Sequence, residues 1–216
     1  MSRERAYGSA SPTLDAIVTA ALEYIDAEGL DKLTMRGLAT RMASYHTNLY
    51  RRVPSLDELL QHVTARIYQE AGTPPDPDGD ARQELIDYAV RIRDAWLAHP
   101  HAVPLIQDPR HRAVAEVLDK TLGAFFALAN DDAALLEATY EYTMVLYGAI
   151  FAGAPPPSGG RDDEPMSGAE ALANIERYRK IVEANLASDE SWSTMGDAHF
   201  RRAITRAIDR AGRTGS

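Results

Sequence analysis

Cysteine is absent from all 216 residues of the chain. Its absence excludes a disulfide framework, a thiol nucleophile and any cysteine-ligated zinc site. Long apolar runs are missing too: no stretch approaches the roughly 18–20 uninterrupted apolar residues that a membrane-spanning helix requires. The opening residues, MSRERAYGSASP, hold no apolar segment of the kind that directs secretion. The chain is therefore expected to work in the cytoplasm, away from any membrane. A glycine-rich phosphate loop and a G-x-S-x-G elbow are both lacking, and no Ser, His and Asp fall into a local triad pattern. His99, His101 and His111 form the one tempting metal set. But His99-Pro100-His101 breaks the i, i+4 geometry of a helical metal site, and no carboxylate stands at ligand spacing beside it. No enzyme, metal or cofactor is expected.

Acidic residues are also missing from one particular place. Between Lys32 and Leu56 there are five basic residues, Lys32, Arg36, Arg41, Arg51 and Arg52, and no Asp or Glu. The other 18 basic residues and all 32 acidic ones lie outside that stretch, and the net charge is −9. A short cationic island on an acidic chain points to a local contact with a polyanion. Chance clustering on a solvated face is the alternative that charge alone leaves open.

What the chain does have is helical periodicity almost throughout, with 45% hydrophobic and 25% charged residues and no alternating strand. Ser11-Pro12 reads as a cap with proline at the first helical position, opening a helix with its stripe on Leu14, Ile17, Val18, Ala21, Leu22 and Ile25 and a stop at Gly29. Thr34 can cap a second, short helix carrying Leu38, Ala39 and Met42. A third short segment, from about Tyr45 to Arg52, must end before Val53-Pro54. Ser55 and Glu58 form a capping box for a fourth helix with Leu59, Leu60, Val63 and Ile67. TPPDPDGD, residues 73–80, cannot be helix and reads as a linker. Longer helices are then expected over 81–99, 110–129 and 132–152, with a short piece at 102–107. A loop at 153–166, a helix from the Ser167–Glu170 capping box to about Leu186, and a last helix over 192–211 complete the chain. The expected fold class is all-α: a helix-turn-helix unit at residues 12–72 behind a flexible arm at 1–11, then a larger helical domain at 80–212, about nine to ten helices in all.

The segment that carries function is TMRGLATRMASYHTNLYRRVPSLDELL, Thr34 to Leu60. Two short helices joined by a tight turn, the second bearing small polar residues and arginines, describe a helix-turn-helix. A recognition helix must bring donors and acceptors to base edges and cations or hydroxyls to phosphates. Tyr45, His46, Thr47 and Asn48 can reach bases; Tyr50, Arg51 and Arg52 can hold phosphates; Thr34 and Arg36 can meet a further phosphate at the start of the preceding helix.

In these residues the sequence resembles the tetracycline-repressor-like (TetR) family of bacterial one-component regulators. The resemblance runs through Ile17, Ala20-Ala21, Ile25, Gly29, Leu33-Thr34-Met35-Arg36, Leu38-Ala39, Leu49-Tyr50-Arg51, Val53-Pro54-Ser55 and Asp57-Glu58-Leu59-Leu60, and covers about residues 12–65. It departs from the family at the turn, where the usual Gly-Val-Ser reads Ala43-Ser44-Tyr45. Without the glycine, a Cβ stands at a turn position suited to φ > 0. Tyr45 replaces the usual capping serine, leaving Ser44 or Thr47 to serve one position either way. The family's phosphate-contacting lysine before the fourth helix is Leu56 here.

The resemblance implies a double-stranded DNA operator, a small lipophilic effector bound in the C-terminal domain, and a homodimer. The sequence adds ten tyrosines against four phenylalanines, and tyrosine suits a pocket for a lipophilic ligand with a few polar groups. The expected pocket residues are Trp96, His99, Phe126, Tyr140, Met144 and Tyr147. Helices near 132–152 and 192–211 are expected to form the dimer interface, because the first is apolar on more than one face. The alternative function is a ligand-binding or protein-interaction module of the same fold in which DNA binding is weak or gone.

Overall fold

The computed structural model describes residues 12–107, 112–154 and 197–212. All the secondary structure in these residues is helical. The first helix, α1, runs over Leu14–Glu28 and is capped by Thr13, whose hydroxyl accepts the Ala16 N–H at 3.2 Å. Pro12 therefore lies before the helix and not at its first position. Thr13 is itself a capping residue and takes the role expected of Ser11, which lies outside the described residues. Gly29, at φ 97°, ends α1 as expected, and a short 3-10 turn, Leu30–Lys32, follows.

Two short helices come next: α2, Met35–Arg41, and α3, His46–Tyr50. Thr34 caps α2 through the Gly37 N–H at 3.0 Å. Ser55 caps α4, Leu56–Glu70, through the Glu58 N–H at 3.0 Å. The 73–80 connection is non-helical, and Asp80 caps α5, Ala81–Ala98, through the Gln83 N–H at 3.1 Å. A 3-10 segment, Pro100–Gln107, leads toward α6, Arg112–Leu128. Asp131 caps α7, Asp132–Gly153, through the Ala134 N–H at 2.8 Å, and α8 spans Asp197–Ala211. The expected helix from Ser167 to Leu186, the loop before it and the arm at 1–11 lie outside the described residues.

One apolar core runs through both units. Ile17, Ala21 and Ile25 of α1 meet Leu38 of α2, Leu49 of α3 and Leu59, Val63 and Ile67 of α4, all inaccessible to solvent. Burying a side chain of this size contributes about 1.5–3 kcal/mol, enough for a few such residues to hold helices too short to persist alone. In the larger unit, Leu85, Trp96, Phe125, Ile150, Phe200 and Ile204 play the same part. The pairing of α7 with α8 is its most extensive helix contact. Helix α4 belongs to both units: it packs on α1 at one side and on α5 and α6 at the other.

Candidate nucleic-acid interface and interior cavity

The turn between α2 and α3 is set by backbone geometry. The Ser44 N–H donates to the Ala39 carbonyl at 3.0 Å and the Ala43 N–H to the Thr40 carbonyl at 3.1 Å. That pair of bonds is the Schellman closure of a helix, whose penultimate residue sits in the left-handed region and is usually glycine. Here it is Ala43, at φ 49°, the only non-glycine residue with positive φ among the described residues. The strain expected from the missing glycine is present. Tyr45 then begins α3 without any side-chain cap, so neither Ser44 nor Thr47 takes that role. The Tyr45 carbonyl accepts the Asn48 N–H at 2.9 Å.

Leu49, fully buried, pins α3 to the core and turns the rest of the helix outward. Tyr45, His46 and Thr47 are exposed, Asn48 is half-buried, and Tyr50, Arg51 and Arg52 are exposed beyond them. His46 and Tyr50 meet edge to face at 6.5 Å. The expected base-reading and phosphate-holding side chains are thus all at the surface around Leu49, with Thr34 and Arg36 exposed at the start of α2. Among the described residues Arg36, Arg51 and Arg52 form no ion pair, and their charge faces water. Arg41 is committed differently, with its guanidinium 5.4 Å above the Tyr24 ring. Leu56 is half-buried at the first turn of α4 and brings no cation.

The larger unit holds a cavity, partly open to solvent, between α4, α5, α6 and α7. Its wall combines Ile92, Val117, Leu122, Phe125 and Leu146 with six hydroxyl side chains: Tyr68, Thr121, Thr139, Tyr142, Thr143 and Tyr147. Burial pushes the phenols of Tyr68 and Tyr142 far above their usual range, so both remain neutral. Tyr68 and Val117 also line a second, outer recess with Gly72, Pro74, Tyr88 and Lys120. The recess touches the 73–80 connection, which Arg91 of α5 clasps through the carbonyls of Ala71 and Thr73 at 2.8 and 3.0 Å.

Of the residues expected to form a pocket, only Tyr147 lines this cavity. Trp96 is fully buried behind it and packs edge to face on Tyr68 at 5.4 Å. His99 lies elsewhere, between the two units, with Nδ1 2.8 Å from Asp26 of α1 and Nε2 3.0 Å from Glu70 of α4. Phe126, Tyr140 and Met144 point outward and are 64%, 66% and 48% exposed. Periodicity could not separate the faces of α7, because an apolar helix has no polar side to mark the outside. The signal that was missed is Thr139 and Thr143, polar residues four apart on that helix and therefore on one face. His101 is engaged through Nδ1 with the Asp26 carbonyl at 3.0 Å, and no group of three His, Asp or Glu among the described residues is placed to hold a metal.

No protein-family model matches the chain. An HTH-type transcriptional regulator of Saccharopolyspora erythraea is 33% identical over 93 residues, 43% of this chain and 39% of that protein. The HTH-type transcriptional repressor DrrR1 of Streptomyces coeruleorubidus is 37% identical over 89 residues, 41% of this chain and 33% of the repressor. The chain thus spans between a third and two fifths of the relatives it matches. Over nearly the whole chain, the Streptomyces coelicolor TetR family protein ActR in complex with (S)-DNPA superposes with a TM-score of 0.63 at 20% identity, covering 93% of this chain and 99% of ActR. The chain has the TetR-family fold. BioQ with its double-stranded DNA operator has the same fold, with a TM-score of 0.54 at 22% identity over 80% of this chain and 99% of BioQ. In TetR terms, α1 to α4 are the helix-turn-helix unit and α5 to α8 belong to the larger domain. No helix among the described residues is long and apolar enough to cross a membrane.

Proposed function

We propose that this chain is a ligand-responsive transcriptional repressor of the TetR type, not an enzyme, which acts in the cytoplasm on a palindromic DNA operator as a homodimer. The observation that carries the reading is the exposed edge of α3 and its flank. Tyr45, His46, Thr47, Asn48, Tyr50, Arg51 and Arg52 stand together on a helix-turn-helix with no acidic residue between Lys32 and Leu56. BioQ carries an operator on this fold and ActR carries a small molecule, which supports both halves of the reading.

The effector is a small lipophilic molecule held in the cavity between α4 and α7. It favours a conformation in which the paired recognition helices no longer match half-sites about 34–36 Å apart, so operator affinity falls by the ligand's preference for that state. Helix α4 and the clasped 73–80 connection carry the change. The dimer forms through α7 and α8. Leu136, Tyr140, Met144 and Phe151 make an outward apolar stripe along α7, the kind of surface that a partner subunit covers.

The test is selection of random duplex DNA on the purified protein, followed by anisotropy at two salt concentrations. A palindrome bound by a dimer, with affinity falling steeply as salt rises, is the expected result. Failure of a folded, dimeric sample to enrich any site would favour the module that no longer binds DNA. An unchanged separation of the recognition helices on adding a ligand that releases DNA would overturn the spacing mechanism.

A further inference from the structure

The hydroxyls of the cavity wall are not equivalent to free hydroxyls. Thr121 donates to the Val117 carbonyl at 2.7 Å, Thr139 to the Leu135 carbonyl at 2.8 Å, and Thr143 to the Thr139 carbonyl at 2.8 Å. Each closes back onto the preceding turn of its own helix, as threonine does in an apolar setting. Tyr142 donates across to the Leu85 carbonyl of α5 at 3.2 Å. Four of the six lining hydroxyls therefore commit their single proton inside the protein. A hydroxyl has one proton and two lone pairs, so what these four can still offer is acceptance. No Lys, Arg, His, Asp or Glu lines the cavity among the described residues. Lys120 lines the outer recess, which shares Tyr68 and Val117 with the cavity.

We infer that the cavity selects uncharged, hydrogen-bond-donating ligands, flat aromatic alcohols or phenols rather than ethers, ketones or carboxylates. This inference rests on the sensor reading above. A phenol brings a proton to the four hydroxyls that have committed their own, and its ring fits against Phe125 and Leu146. An ether of the same shape leaves the threonine lone pairs without a donor. A carboxylate would lose its hydration against a wall that offers mostly oxygen lone pairs and no counter-charge, an unfavourable exchange.

Three probes of one ring system separate these cases: 2-naphthol, 2-methoxynaphthalene and 2-naphthoate, titrated calorimetrically into the purified protein. The expected order has 2-naphthol binding about 3–10-fold tighter than the ether, as one net hydrogen bond implies, and 2-naphthoate at least about a hundredfold weaker than 2-naphthol. The ether is the more lipophilic of the neutral pair, so a merely greasy cavity would bind it at least as tightly as the phenol, and that ranking overturns the inference. So does tight binding of 2-naphthoate, which would mean that Lys120 governs the site. A Thr139→Val/Thr143→Val variant keeps the helix and its shape while deleting the acceptors. It should lose the preference for 2-naphthol over the ether, and a retained preference would overturn the assignment to these residues. Leu146→Trp fills the cavity and should abolish binding of both neutral probes. Probes that bind neither the parent protein nor any variant would overturn the sensor reading itself, a result distinct from a wrong order among probes that bind.

Discussion

His99 Nδ1 lies 2.8 Å from Asp26 Oδ2, joining the end of α5 to the first helix of the helix-turn-helix unit, and Nε2 of the same ring reaches Glu70 at 3.0 Å. A neutral imidazole has one N–H and cannot donate to both carboxylates, so the full contact requires the imidazolium. Burial pulls the His99 pKa down, but the hydrogen bonds and charges of Asp26 and Glu70 outweigh it, and the net position is above the ordinary 6.5. A raised folded pKa means that the contribution is complete below about 6.5 and is lost as pH rises through the folded value. The thermal stability gap between the parent and His99→Gln should therefore be largest near pH 6, about 1 kcal/mol, and close toward pH 9. A gap that is constant with pH would mean that His99 contributes only packing.

Ala43 holds a left-handed conformation that glycine adopts freely. Ala43→Gly should stabilise the chain by about 1 kcal/mol, and Ala43→Val should destabilise it, since a β-branched residue tolerates that region least. Denaturant unfolding of the three proteins measures the difference.

Arg51 and Arg52 are exposed and, among the described residues, free of ion pairs. Replacing both by alanine should weaken operator binding at low salt by about tenfold or more. It should also flatten the slope of log affinity against log salt by about 0.9 for each phosphate no longer neutralised. Leu56→Lys should do the reverse, steepening the slope by about the same amount, although a cation at a helix start costs a few tenths of a kcal/mol.

Arg91 clasps two carbonyls of the connection between α4 and α5. Arg91→Met keeps most of the aliphatic bulk and removes both bonds, at a cost of about 1–3 kcal/mol in stability. If the connection carries the signal, operator affinity without ligand should change little, while the effect of a saturating ligand on that affinity should shrink. Anisotropy with and without ligand separates the two quantities.

Most of the fold was legible because its boundary signals are local. Thr34, Ser55 and Gly29 each end or begin a helix through their own side chain or backbone, and each does so where the sequence placed it. The first cap moved from Ser11 to Thr13 because two capping residues two apart compete, and spacing alone does not rank them. The exposed side of α3 was legible for a related reason: one buried residue, Leu49, fixes which way a five-residue helix points. The cavity was not. Its wall comes from four helices, and on α7 the inward residues, Tyr142 and Leu146, look no more apolar in sequence than the outward Leu136 and Met144. Only the packing of α7 against its neighbours tells these faces apart.

Helix α3 is five residues long, and no side chain caps its start. A helix of that length has few internal bonds to lose when it opens, so its amide protons should exchange with solvent far faster than those of α4, even in a protein that is globally stable. Contact with phosphates and bases would then order a segment that is only partly formed beforehand. Operator binding should accordingly bring a sharp slowing of exchange at His46 to Tyr50 and a larger negative heat-capacity change than the buried apolar area of a rigid helix would account for.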